Sequence, residues 1–97
     1  MAYKIKQYTY NKARYFGVTV RPSKVKGKKI DVYRNGVKIA SVGALGYADY
    51  PTYLEMERAG KVRKGMAQSR WKAYHARHRT DRVKKDTPAY WAAMLLW

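Results

Sequence analysis

The chain is 97 residues long, the length of one small domain, and 46% of it is apolar and 14% aromatic, which excludes a disordered basic tail. It has no cysteine, which excludes disulfides, thiol nucleophiles and Cys-type zinc sites. Lys and Arg number 22 against 6 Asp and Glu, a net charge of +16 that excludes the neutral surface of an ordinary cytosolic enzyme and calls for a polyanion as counter-charge.

In chain order, Tyr3, Ile5 and Gln7 alternate with Lys4, Lys6 and Tyr8, which predicts a short strand over 3–9. A brief helix from Asn11 to Phe16 follows, with Gly17 as its left-handed stop. Val18-Thr19-Val20 is β-branched and extended, and Pro22 ends it. Residues 21–29 carry five positive charges and no negative one, and read as a flexible basic loop. The runs 29–34 and 37–42 flank Asn35-Gly36, a pair that favours a two-residue type I′ hairpin because both turn residues need positive φ. In that register Val32 faces Ile39, and Ile30, Val32, Val37 and Ile39 share the core face.

Gly43-Ala-Leu-Gly46 breaks the pattern. Asp49 before Pro51 signals a helix from Pro51 to about Ala59, closed by Gly60. Between Lys61 and Val83 there is no proline, and the reading is one long basic helix, strongest from Met66 to Arg82. Ala67, Trp71, Tyr74 and His78 form one stripe on it. Thr87-Pro88 starts a short apolar helix through Leu96. The expected fold is therefore α+β, with a small antiparallel sheet containing the Asn-Gly hairpin, then the long basic helix and the apolar C-terminal helix. It is one domain, 1–97, β-rich over 1–46 and helical over 47–97. No 18-residue apolar run is present and the N-terminus lacks the apolar core of a signal peptide, so neither a membrane span nor a leader is expected.

The chemistry concentrates in the cations. Residues 61–85 hold ten Lys or Arg and one acid, Asp81, and residues 58–80 hold no acid at all. A solvated helix face ordinarily mixes signs in i,i+4 pairs, and this one does not. Phosphate contact explains such a run. The residues expected to make it are Arg63, Lys64, Arg70, Lys72, Arg77, Arg79 and Arg82, together with Lys24, Lys26, Lys28 and Lys29 of the loop. Trp71 and Tyr74 fit a buried stripe better than a base-stacking platform. The aromatics of Gly43–Tyr53 and of the C-terminal segment serve the core or a self-association patch.

His75, His78 and Asp81 lie three apart, too few ligands for a closed metal site, and no metal or other cofactor is expected. There is no phosphate-loop or dinucleotide motif. Glu55 and Glu57, the nearest acids, fall on different helix faces, and no constellation marks a small nuclease or strand-transfer enzyme. The chain is not expected to be an enzyme or to bind a small-molecule substrate.

Gly43-Ala-Leu-Gly-Tyr47, Asp49-Tyr-Pro-Thr-Tyr53, Tyr74-x-x-Arg77-His78-x-x-Asp81-Arg82 and Tyr90-x-Ala-x-x-Leu-Leu-Trp97 together resemble a group of small basic proteins from large DNA viruses and phage-like genomes. The resemblance spans nearly the whole chain and implies a setting, the virion or the cytoplasm of an infected cell, rather than an activity. One departure is that the group's Gly-Tyr-Tyr-Ala-Asp is here Ala89-Tyr90-Trp91-Ala92-Ala93, so an acid is missing at Ala93. The resulting expectation is a nucleic-acid-binding virion protein that contacts DNA, in preference to RNA, without regard to sequence and packages or organises the genome. The alternative is a capsid or shell component whose basic face lines packaged genome and whose aromatics bind further copies of the chain or other virion proteins.

Overall fold

A computed structural model describes residues 3–80 and 84–97. The order is α1 (Gln7–Tyr15), β1 (Thr19–Pro22), β2 (Lys28–Arg34), β3 (Val37–Ala44), α2 (Tyr50–Arg58), α3 (Met66–Arg77) and α4 (Pro88–Leu96). The fold is α+β, with one three-stranded antiparallel sheet in the order β1-β2-β3.

The first element corrects the sequence reading, because residues 7–15 are helical where a strand was expected over 3–9. Alternation over six residues is too short to define a period. The buried positions Ile5, Thr9 and Ala13 recur every four residues, which is a helical spacing. The end of α1 follows from Gly17 at φ 72°. Its N–H bonds Arg14 O, and the Val18 N–H bonds Ala13 O at 3.0 Å, closing the last turn.

The sheet buries Val20, Ile30, Val32, Ala40 and Val42 on one face. Asn35 (φ 53°) and Gly36 (φ 80°) connect β2 to β3. The register differs from the expected one. Val32 pairs with Ala40 and Tyr33 with Lys38, so Ile39 is an extra residue in β3. That bulge turns Val37 out, 64% exposed, and gives its expected core place to Ala40 and Val42.

α2 begins at Asp49, whose carboxylate accepts from the Thr52 N–H at 3.1 Å and the Thr52 hydroxyl at 2.6 Å. The long helix expected over 61–83 is a second correction. α3 covers Met66–Arg77, preceded by Gly65 at φ 92° and followed by turn at 78–80. A left-handed residue cannot continue a right-handed helix, so 61–64 stay outside α3, and the expected end of the long helix at 81–83 lies outside the described residues. Glu57 binds α2 to α3, its carboxylate accepting from the Ala67 N–H at 2.6 Å in the first turn of α3.

Thr87 caps α4 through the Tyr90 N–H at 3.2 Å, with Pro88 at the first helical position. Trp91, Leu95 and Leu96 are at most 1% exposed and pack against the sheet and α1. Thr9 is fully buried and donates its hydroxyl to Leu95 O at 2.9 Å, so a polar residue on the α1 stripe is satisfied by the end of α4. Trp97 then ties the helices together. Its main-chain oxygen accepts from the Tyr8 hydroxyl at 3.0 Å and the Trp71 indole N–H at 2.6 Å. Among the described residues no helix is long and apolar enough to cross a membrane.

Candidate nucleic-acid interface

The cations divide into those the fold uses and those it leaves in water. Three ion pairs exist among the described residues: Lys6–Glu55, Lys29–Asp49 and Arg34–Asp86. The expected contact residues Lys24, Lys26, Lys28, Arg63, Lys64, Arg70, Lys72, Arg77 and Arg79 are exposed and belong to none of the three. Arg82 lies outside the described residues, as does Asp81 of the His75, His78, Asp81 trio.

Lys29 is the correction. The loop expected over 21–29 is shorter, with Arg21 and Pro22 in β1 and Lys28 and Lys29 in β2, and the Lys29 ammonium sits 2.9 Å from Asp49 Oδ2 with side-chain exposures of 5% and 0%. Tyr3 donates its hydroxyl to the same oxygen at 2.6 Å. Burial alone would raise the Asp49 carboxyl, but the hydrogen bonds from Thr52 and Tyr3 and the charge of Lys29 hold it below the usual carboxylate range. The Tyr3 hydroxyl is driven up by burial and by the Asp49 carboxylate it serves. A lysine held this way is committed to Asp49 and has little of its side chain in solvent to offer a phosphate. Asp31 is handled similarly, by hydroxyls first and with the charge of Lys38 as a smaller contribution. Burial opposes its charge, and the hydroxyls of Ser23 and Ser41, each at 2.6 Å, outweigh it and lower its pKa.

The remaining described acids are also engaged: Glu55 with Lys6, Glu57 at the start of α3, and Asp86 with Arg34. The sequence from 58 to 80 supplies none. The stretch that carries Arg63, Lys64, Arg70, Lys72, Arg77 and Arg79 therefore contains no acid of its own, with Arg70 and Arg77 on one side of α3 and Lys72 about 160° from Arg70 around the helix axis.

Two of these residues meet in a cleft of about 450 Å³. Arg70 and Arg77, seven apart on α3, line one wall together with His78. Tyr47, Tyr53, Tyr74 and Trp97 supply its aromatic surfaces. Gly43, Ala44, Ala92 and Leu96 supply the small apolar ones. Trp97 stacks on Tyr74 with centroids 4.4 Å apart and planes 5° from parallel, while the Arg70 guanidinium lies 5.9 Å from the Tyr53 ring. Gly43 is required here. Its φ is 82°, and a Cβ would stand 2.9 Å from Leu96 Cδ1 and 3.0 Å from Lys29 Cβ. The basic turn adjoins the same rim, because the Leu45 N–H bonds Gly27 O at 3.0 Å and Lys28 pairs with Ala44. Lys72, Arg63 and Lys64 do not line the cleft.

Sequence reasoning reached the cations and missed the cleft. The signal was in the Gly43–Tyr53 and C-terminal aromatics, which read as core or as a self-association patch. Tyr47 is 76% exposed, and Trp97 is only partly covered. Trp71 and Tyr74 do turn inward, against Trp97, but Tyr74 keeps one surface on the cleft. No group of three or more His, Cys, Asp or Glu converges among the described residues. Ala93, where the resembling group carries an acid, is 1% exposed on α4, away from solvent. Comparison with family models, curated proteins and solved structures finds no match to this chain.

Proposed function

We propose that this protein binds nucleic acid through its phosphates, without reading base sequence, and packages or organises a viral genome within the virion. What supports this reading is the acid-free stretch 58–80, whose cations on α3 and its flanks are exposed while the described acids are committed elsewhere. The contact set is Arg63, Lys64, Arg70, Lys72, Arg77 and Arg79, extended by Lys24, Lys26 and Lys28 of the basic turn. Lys29 is withdrawn from it. The viral setting and the preference for DNA come from the resemblance to basic proteins of large DNA viruses.

The test is a binding titration of unrelated duplexes across a range of salt. With about six phosphates neutralised, log K falls against log salt with a slope near −5, and all duplexes bind alike. Affinity that does not respond to salt, or strong preference for one sequence, overturns the reading.

A second reading, a shell component facing packaged genome, is favoured by one observation: Tyr15 is 82% exposed, a large ring on α1 left in water. A defined oligomer that persists in dilute solution after nuclease treatment is its signature.

A further inference from the structure

The cleft beside α3 is too confined for a duplex, yet it combines features that phosphate contact alone does not use. Its volume, about 450 Å³, falls within the range of roughly 300–1,000 Å³ typical of small-ligand sites. Gly43, Ala44, Ala48 and Ala92 are among its lining residues, small groups that leave room beside the rings. At its mouth stands the Tyr47 ring, 76% exposed. Tyr53 forms a further aromatic surface under the Arg70 guanidinium. Arg70 and Arg77 bring two positive charges to the same opening, and no carboxylate is among the described lining residues. Lys29 reaches the lining as well, but Asp49 neutralises it.

A cleft that brings four aromatic rings together with two arginines, and no carboxylate among its described lining residues, matches one chemical class: a nucleotide, with an unpaired base on the rings and its phosphate on the arginines. We propose that this cleft takes single unpaired nucleotides of a bound strand, the base stacking on Tyr47 and Tyr53 and the adjoining phosphate held by Arg70 and Arg77. The lining includes no Asn, Gln, Asp or Glu to read a base edge, and with Arg70 and Arg77 on the phosphate the site accepts any base. The inference rests on the phosphate-binding reading and adds to it a preference for unpaired over paired strands.

The experiment compares three labelled ligands of equal length on the full chain by fluorescence anisotropy: a thymidine strand, the same strand without bases, and a blunt duplex. The thymidine strand binds the unaltered chain about tenfold more tightly than the base-free strand, the size expected of one stacked base. Tyr47→Ala removes that advantage and leaves the base-free strand and the duplex unchanged, while Tyr47→Phe retains it. Equal binding of the thymidine and base-free strands, or a Tyr47→Ala loss common to all three ligands, overturns the cleft assignment and leaves phosphate binding standing.

A second measurement keeps the two readings apart. Thymidine monophosphate, added to the unaltered chain, quenches the fluorescence of Trp97 in the cleft wall. Saturable quenching in a chain that binds none of the three polymers supports the nucleotide site and overturns the polymer reading. No quenching and no strand preference overturns the site.

Discussion

Lys29 and Arg77 both come from dense basic runs, and the fold treats them in opposite ways. Lys29 sits in the sheet, buried on Asp49 with Tyr3 on the same carboxylate. Arg77 sits at the end of α3, exposed, in a stretch that holds no acid from 58 to 80 and outside the three ion pairs of the described residues. One charge holds the molecule together and the other is available to a ligand. Local charge density therefore does not identify a contact residue. What matters is whether a buried carboxylate lies opposite, and that depends on residues distant in sequence.

The sharpest way to break this comparison is Lys29→Met. Removing the ammonium leaves Asp49 buried without its cation, and the expected loss is about 3–5 kcal/mol of folding stability, read by urea denaturation. Duplex affinity of the folded fraction does not change. A stable variant with weakened duplex binding would reverse the roles assigned to the two regions.

Gly43→Ala comes next. The methyl group meets Leu96 and Lys29 at a backbone angle that favours glycine, so about 2 kcal/mol is lost, measured in the same way. Because Gly43 also lines the cleft, this variant weakens the advantage of the thymidine strand before it affects duplex binding.

Acid gives the smallest and most gradual effect. Asp49 and Asp31 have folded pKa values below the usual carboxylate value of about 3.9, so the stability they contribute is fully present above that pH. It is lost as pH falls from there through their folded values. A thermal melting series between pH 6 and pH 2 should be flat at first and then decline. The arginines of α3 remain charged throughout, so the sheet side weakens while the cationic face keeps its sign. A decline already under way between pH 6 and pH 5 would point to groups other than these two.

Part of this could be read from the residues alone. Asp49 ahead of Pro51 and Thr87 ahead of Pro88 state their helix starts locally, since a side-chain acceptor and a fixed φ act within one turn. The antiparallel sheet followed by helices was similarly legible. The register was not, because the bulge at Ile39 is decided by which of Val37, Ala40 and Val42 packs best under α4. The start of α1 was hidden for a related reason. Ile5, Thr9 and Ala13 mark a helical face only once Leu95 is there to accept from Thr9. The cations of the site were visible as a run without acids. The cleft was not, since it is assembled from the rim after β3, α2, α3 and the end of α4, and no local pattern encodes that meeting.

The main-chain oxygen of Trp97 has a consequence for the order of events during folding. It receives Tyr8 from 89 positions away and Trp71 from 26, while the indole ring of Trp97 supports Tyr74. Contacts of such span close late, after the nearer pairings of the sheet have formed. The nucleotide slot has Trp97 as part of its wall and so cannot exist on a half-folded chain. On the proposed reading, partly folded molecules attract nucleic acid by charge alone, and the ability to distinguish an unpaired base arises with the final docking step.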